Sequence, residues 1–580
     1  MPRNVDSADP AFGSILRRSR GPGPKRARAA LGGRSHRLSG AIGLLTIAML
    51  AASCQTPPPR GSPAPFSGSP SASPGSPYGS PGVPTAVLSY PHRTAFVQLF
   101  EWKWTDIAQE CEQWLGPHGF AAVQISPPQE HAEIDSGGNH FPWWERYQPV
   151  SYTLASRSGT RAEFADMVGR CRAAGIDIYA DVILNHMAAG SGTGSAGTVY
   201  TKYSYPGVYG PADFHANANP AYPNVLCDHS IADFGDPEQV RTCELSGLAD
   251  LRTEEPSVQG KLAGYMADLY GLGVRGYRID AAKHIDQAQL GQILAQLRAK
   301  LPADATFFID QEVTDLGGDA VPKTLYYPTG SVDDFIYTAR IAAAFTHTDE
   351  TVSSLKNLDS APFIAPSDKA VVFVDNHDTQ RGHVGTGLTL SYKRGDLYSL
   401  ANVFMLAWPQ GYPRVMSSYV FTDTEAGPPS DAQGHTDSVY APGSSTPNCG
   451  LKPGQWVCEQ RWHVIAGMVG FRDFTADSPT VTDWWSNPGD GNQIAFGRGA
   501  AGFVVINRST SPLSQMLQTG LAPGTYCDIV NGDLAAASRA ATGASCAGAS
   551  ITIAPDGTAH FEIAPMQAVA IHVGAKLSGR

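Results

Sequence analysis

The sequence is short of basic charge, of long apolar runs and of internal repeats. Its 580 residues carry 42 Lys and Arg against 53 Asp and Glu, a net charge of −11. Even the basic residues crowd together: Arg17, Arg18, Arg20, Lys25, Arg26, Arg28, Arg34 and Arg37 all precede the first apolar run. The remainder is more acidic still, which argues against a phosphate-tracking groove and so against a nucleic-acid partner. Only Ala41–Ala52 (AIGLLTIAMLAA) could engage a bilayer. It falls short of the ~20 apolar residues of a spanning helix but suits the centre of an export signal behind a positive leader. A short core helix is the alternative, and the disordered stretch directly behind it counts against that. The leader is long for a signal, and a start codon further downstream would shorten it. The mature chain is expected to be soluble.

Cysteines number nine: Cys54, Cys111, Cys171, Cys227, Cys243, Cys449, Cys458, Cys527 and Cys546. An exported chain favours disulfides, and the eight after the leader suffice for four. Cys54 is left over, directly behind Leu50-Ala51-Ala52-Ser53. Small residues before a cysteine there are similar to a bacterial lipoprotein signal, although Ala51 stands where a leucine is usual. Ordinary cleavage near Ser53 is the alternative. Residues 1–54 are therefore expected to be a lipoprotein-like signal peptide with Cys54 lipidated. Residues 55–85, rich in Pro, Ser and Gly, are expected to be a semi-extended tether.

What remains is rich in short apolar runs. RTAFVQLF, GFAAVQIS, GIDIYADVILNH, GVRGYRID, TFFIDQEV and KAVVFVDNHD alternate with helical patterns such as DIAQECEQWLG and SVQGKLAGYMADLYGLG. Strands alternating with helices over this length predict an α/β chain, a (β/α)8 barrel over residues 86–475. Residues 186–250 break the rhythm with Gly, Tyr, Asn and Pro, and are expected to form an irregular inserted subdomain. From residue 476 to 580 short alternating runs (QIAFGRG, GFVVINR, ASITIAP) predict a small all-β sandwich domain.

In such a barrel, functional side chains gather at the carboxyl ends of the strands. Polar residues cluster at four such ends: Asp181 to His186, Gly276 to His284, Phe308 to Glu312 and Phe373 to Asp378. Residues two apart on a strand share a face, so Arg278 should face with Asp280, and Asn376 with Asp378. A buried cation beside a carboxylate keeps it ionised. One strand-end Asp is ordinarily a cap or an ion pair; four clusters in series suggest a site.

DVILNH, GYRIDAAKH, FFIDQEV and FVDNHD resemble, in order, the four strand-end motifs of the retaining α-amylase glycoside hydrolase family. FVQLFEWKWTDIAQECEQWLGP, PWWERYQPVSYTL, QVRTCELSGLADL, YPRVMSSY and WVCEQRW resemble its animal-type, chloride-dependent branch. The likeness runs from Arg93 to about Val573. It implies an endo-acting hydrolase of α-1,4-glucosidic bonds in starch, glycogen and maltooligosaccharides. By motif position Asp280 would be the nucleophile, Glu312 the general acid/base and Asp378 the third carboxylate, the retaining route needing two carboxyls about 5 Å apart. Arg278 would keep Asp280 charged, and His186 and His377 would bond the same sugar. Trp143, Trp144 and Tyr147, with Gln148, would make a stacking platform. Neighbours on an extended segment point opposite ways, so one of the two tryptophans would pack in the core. Lys283 and His284 would line the leaving-group side.

The resemblance also implies a calcium ion held by Asn185, Asp250 and the main-chain carbonyls of Arg241 and His284, a hard-oxygen set. It implies a chloride ion on Arg278, Asn376 and Arg414. Two arginines favour the ionised form of Glu312, the wrong form for an acid, and a halide between them offsets their charge. Arg414 paired with a carboxylate is the structural alternative. By family position Cys111 would pair with Cys171, Cys227 with Cys243, Cys449 with Cys458, and Cys527 with Cys546. The animal branch has a further pair in the inserted subdomain, without cysteines here. Gly382–Gly387 is glycine-rich like the family's mobile loop but not identical, and Thr314 replaces a larger aliphatic residue. An α-glucan transglycosylase or exo-acting α-glucosidase is the enzymatic alternative, since fold and triad do not set the acceptor. A non-catalytic surface glucan-binding protein is the other, which such relatives usually reach by losing a carboxylate or the arginine. The expected protein is an extracellular monomer, secreted or lipid-anchored, meeting membrane only through that anchor.

Overall fold

The computed structural model describes residues 90–577 apart from 136–139, 222–229, 347–349, 385–388 and 536–544. The leader, Cys54, the tether, Cys227 and residues 385–387 of the Gly382–Gly387 loop lie outside the described residues. Eight strands close a parallel barrel in sequence order. They are β1 (Phe96–Leu99), β2 (Ala122–Ile125), β3 (Asp177–Ile183), β4 (Gly276–Asp280), β5 (Phe308–Gln311), β6 (Ser331–Asp333), β7 (Ala370–Val372) and β8 (Tyr412–Ser417). Closure comes from β8 pairing with β1, Phe96 opposite Arg414 and Leu99 opposite Ser417. Strands buried on both faces lose the polar alternation of a half-exposed sheet, so β1 and β2 read as short buried runs.

Helices cover the barrel. One of them, Arg161–Ala173, starts from Thr160, whose side chain accepts from the Glu163 amide while Glu163 reaches back, satisfying amides the first turn leaves open. Helix Pro256–Leu272 places proline in its first turn and stops at Gly273, whose φ of 111° a side chain would resist. The expected eightfold alternation is incomplete. Between β5 and β6 only a one-turn 3-10 helix, Lys323–Tyr326, replaces the covering helix. The buried Lys323 ammonium there binds Asp334 at 2.7 Å, tying the turn to the end of β6.

Inside the barrel the amino-terminal end is plugged by rings. Phe96 lies 4.7 Å from Tyr412 and 5.5 Å from Tyr179, and Tyr179 lies 5.1 Å from Phe308. Gly276 is required beside this plug, because a Cβ there would sit 2.3 Å from the Tyr179 ring. The plug closes the dry floor on which the charged residues of the upper barrel stand.

Residues 186–250 leave the barrel after β3. His186–Met187 pairs antiparallel with Ala249–Asp250, so the excursion starts and ends on one two-stranded clamp. After helix His463–Phe474, the strands Thr482–Ser486, Gln493–Arg498, Gly502–Asn507 and Gln567–His572 form an antiparallel sheet. Its Phe496 packs on Trp408, and Arg498 donates to the Ala407 carbonyl at the end of helix Asp396–Ala407. Cys111 is bonded to Cys171, Cys449 to Cys458 and Cys527 to Cys546. Cys243 is also disulfide-bonded.

Candidate active site

The carboxyl ends of β3, β4, β5 and β7 converge above the aromatic floor. Arg278 on β4 is the hub. Its Nη1 donates to Asp181 at 2.8 Å and to Asp280 at 2.7 Å, and its Nη2 lies 3.1 Å from Glu312 Oε2. Arg278 and Asp280 do share the inner face of one strand, as two-residue periodicity requires. Glu312 Oε2 also accepts from the amide of Ala281, a residue held at φ 48° where the chain turns out of β4.

Asn376 and Asp378 do not follow the same rule. β7 ends at Val372, so both stand in the turn beyond it, where strand alternation no longer applies. Asn376 Oδ1 instead accepts from the amides of Asp378 and Thr379 at 3.1 and 2.8 Å, which holds the turn and aims its amide nitrogen inward. Asp378 Oδ2 sits 3.2 Å from His377 Nε2.

One guanidinium cannot keep all its neighbouring carboxyls ionised. Burial pushes Asp280 well above the usual carboxylate range against the pull of Arg278, with Glu312 and Asp181 adding to the rise. Burial likewise raises Asp181 to about 6, and raises Asp378 to about 7 with help from Glu312. The cluster therefore keeps a proton at neutral pH while part of it stays anionic, the pairing of acid and base that such chemistry needs.

His186, His284 and His377 are held neutral. Burial lowers His186 and His284 to about 4, and burial with Arg278 and Arg381 holds His377 well below its ordinary value. A neutral His377 accepts at Nδ1 from Gln98 and turns its Nε2 hydrogen toward Asp378. His186 Nε2 donates to the Tyr147 carbonyl at 3.0 Å.

Trp143 to Tyr147 form a 3-10 helix, not an extended segment. Successive side chains there turn about 120°, so the two tryptophans do not point opposite ways. Both indoles reach one segment: Trp143 donates to the Thr424 carbonyl and Trp144 to Glu425. Tyr147 stacks on His377 at 5.1 Å and donates to Asp181, joining the platform to the carboxyl cluster. Gln148 is spent on the chain itself, accepting from the Ala189 amide. Lys283 Nζ binds the Thr314 carbonyl and Asp319, both on the loop after β5.

Asn185 and Asp250 meet in the clamp, the Asn185 amide donating to Asp250 Oδ1 at 3.1 Å. His284 Nδ1 donates to the Val240 carbonyl, which brings the Arg241 turn against the turn after β4. Arg414 lies across the barrel interior. It is paired with carboxylates, Asp310 at 3.2 Å and Asp333 at 2.9 Å, and its guanidinium lies 4.5 Å from the Phe373 ring centre.

Several residues of this site carry no strand-end signal. Arg381 donates to the His377 carbonyl and lies over Phe421 at 4.3 Å and Phe100 at 5.2 Å, bracing the Asp378 turn. Gln98 sits in mid-strand on β1, and Asp333 belongs to a strand too short to register as an apolar run.

Residues 119–295 match the α-amylase catalytic domain, and residues 484–574 match the α-amylase C-terminal all-β domain. An α-amylase of Pecten maximus is 42% identical over 504 residues, covering 84% of this chain and 94% of that protein. The pancreatic α-amylase of Sus scrofa is 41% identical over 513 residues, 84% and 95% of the two chains. Among solved structures, a mutant of α-amylase I from Eisenia fetida in complex with maltohexaose superposes with a TM-score of 0.74. It is 38% identical, and the match covers 85% of this chain and 99% of that one. With barrel, carboxyl cluster and relatives in agreement, the chain belongs to the α-amylase family of glycoside hydrolases.

Proposed function

We propose that this protein cuts internal α-1,4-glucosidic bonds of starch, glycogen and maltooligosaccharides with retention of configuration. The observation that carries the reading is the placement of Asp280 and Glu312 on neighbouring nitrogens of Arg278, compatible with the separation of about 5 Å that retention uses. In the productive arrangement of the cluster's shared proton it sits on Glu312 and Asp280 is ionised; the Asp280 carboxylate then attacks the anomeric carbon while Glu312 gives its proton to the departing glycosidic oxygen. Water then attacks the same carbon, its proton passes to Glu312, and Asp280 is released. Asp378 and the neutral His186 and His377 hold hydroxyls of the distorted ring, with Trp143, Trp144 and Tyr147 at its apolar face. Lys283, fixed by Asp319, lines the leaving-group side with His284. A blocked maltoheptaoside tests the reading: internal cuts releasing α-anomers support it, and release of single glucose units or transfer products overturns it.

Calcium fits the clamp. Asn185 and Asp250 are buried, with Asp250 Oδ2 bonded to His215 at 2.7 Å, and among the described residues no group of three His, Cys, Asp or Glu side chains is placed to hold a metal, so a cage here rests on one carboxylate, one amide and carbonyls. That is hard-oxygen chemistry. Asn185, Asp250 and the carbonyls of Arg241 and His284 would hold the ion, which supplies charge to keep Asp250 ionised and ties the inserted segment to the barrel.

Chloride fits as well. Arg278 Nε, Asn376 Nδ2 and Arg414 Nε are buried donors without a hydrogen-bond acceptor, and Arg278 Nη2 has only its ion-pair contact with Glu312. Such groups are costly to leave unpaired, and a halide accepts from several at once. It would supply negative charge that offsets the two arginines beside Glu312. The three disulfides among the described residues and the apolar leader support export, with a lipid anchor at Cys54 as the finer reading.

A further inference from the structure

Arg414 does not face the anion cradle alone. Asp310 and Asp333 come from neighbouring strands, β5 and β6, and both carboxyls meet its guanidinium. Asp310 is also the strand neighbour of Arg278 in the β4–β5 register. Both acids are fully enclosed, at 2% and 0% exposure. With both ionised, Asp310 Oδ1 and Asp333 Oδ2 have no hydrogen-bond donor, and Asp333 Oδ1 has only its ion-pair contact with Arg414. One proton held between the two carboxyls relieves that shortfall, Asp310 donating and Asp333 accepting. Burial and the Asp333 charge push Asp310 well up; burial also raises Asp333, against the pull of Arg414 and Arg278.

The charged groups acting on the pair are Arg278 from β4, Glu312 from β5 and Arg414 from β8; beyond the end of β7 the Phe373 ring and the buried Asp375 carboxyl act on Arg414, and β2 contributes the neutral Gln124. Those two arginines, with Asn376, carry the donors of the halide cradle. With one proton on the pair, an arginine charge remains to attract an anion. With none, two carboxylates oppose it at close range in a dry interior.

Building on the halide reading of the same cradle, we propose that Asp310 and Asp333 form a one-proton switch that sets chloride affinity, tight while the pair holds its proton and weak once both ionise. They act through Arg414 and Arg278 as positioning residues and touch no substrate. By reciprocity, an anion entering the cradle draws a proton onto the pair.

The test uses the full chain carrying Glu312→Gln, which removes the acid/base group's own titration. Chloride affinity is read by chloride NMR line broadening from pH 6 to pH 9. Across that range the parent should weaken by about tenfold more than Asp333→Asn in the same background, as one added charge nearby requires. Asp310→Asn provides a second variant if the first does not fold. Asp181, Asp280 and Asp378 remain in every protein, so the difference between variant and parent reads the pair. Equal pH dependence in parent and variants, or none in the parent, overturns the switch while leaving the halide site standing. Absence of chloride binding at every pH removes the halide site and the switch with it.

Discussion

Replacing Arg278 with methionine should cost stability in a way that depends on pH. The side chain is 2% exposed and serves Asp181, Asp280 and Glu312 together. Methionine keeps an unbranched apolar stem of similar reach, so the loss reports the missing charge more than a cavity. Removing one partner of a buried ion pair costs about 3–5 kcal/mol when the remaining charge has no escape. Here the escape is protonation. Asp181 and Asp378 already stand at about 6 and about 7 in the folded protein, above the unfolded carboxylate value. A raised carboxyl binds a proton in the folded state that the unfolded chain has released. Its contribution is therefore greatest at low pH and lost as pH rises through the folded values. Without Arg278 those values climb further, at about 1.4 kcal/mol for each unit and group. At pH 5 the cluster is largely protonated either way, and the variant should lose about 1 kcal/mol or less. By pH 8 the loss should reach about 3–5 kcal/mol. Urea midpoints at the two pH values, with disulfides kept oxidised, measure it. Equal losses at pH 5 and pH 8 would show that Arg278 matters only as a packed side chain, and the charge argument would fail.

Asp280→Asn and Glu312→Gln should each remove nearly all turnover with an unchanged circular dichroism spectrum; retention of more than about a tenth of the rate, a barrier change of only ~1.4 kcal/mol, would reject the assignment. Excess chelator should lower the melting temperature and activity together, since an ion bound only to the folded state stabilises it; an unmoved melting curve with no metal in the protein by elemental analysis would remove calcium. In sulfate or acetate without chloride, activity should fall most at neutral to alkaline pH and recover with bromide, if a halide offsets the charge of Arg278 and Arg414 beside Glu312. Superimposable pH–rate curves with and without chloride would refute that.

The barrel was legible because its longer strands are buried on both faces and end in polar clusters: β3, β4 and β5 all show both marks. The same logic placed Arg278, Asp280 and Glu312 on one wall, since they stand on strands or one residue beyond. It failed where backbone regularity stops. Asn376 and Asp378 lie past the end of β7, and the Trp143–Tyr147 turn spaces its side chains by a 3-10 pitch. β6 offered no run to read: three residues, Val332 flanked by Ser331 and Asp333, are strand only because β5 and β7 pair with them on either side. Asp333 and its contact with Arg414 were therefore invisible, and so was the crowding of acids around the two arginines. Charge counts along a chain say nothing of which charges a closed ring brings face to face.

The seam between β1 and β8 has a consequence for how the chain acquires its structure. Phe96 and Arg414 are register partners, yet more than three hundred residues separate them in sequence. Until Ser417 has emerged from the ribosome, the first seven strands can form at most an open sheet, with β1 and β7 presenting raw edges. Pairings this distant in sequence are slow to find, and an open edge invites other chains while it waits. Arg414 arrives on the very strand that completes the ring, so the acids it neutralises are brought into a dry interior and given their cation in one event. Refolding from denaturant should accordingly be slow and sensitive to protein concentration, and chains cut before Tyr412 should aggregate instead of folding.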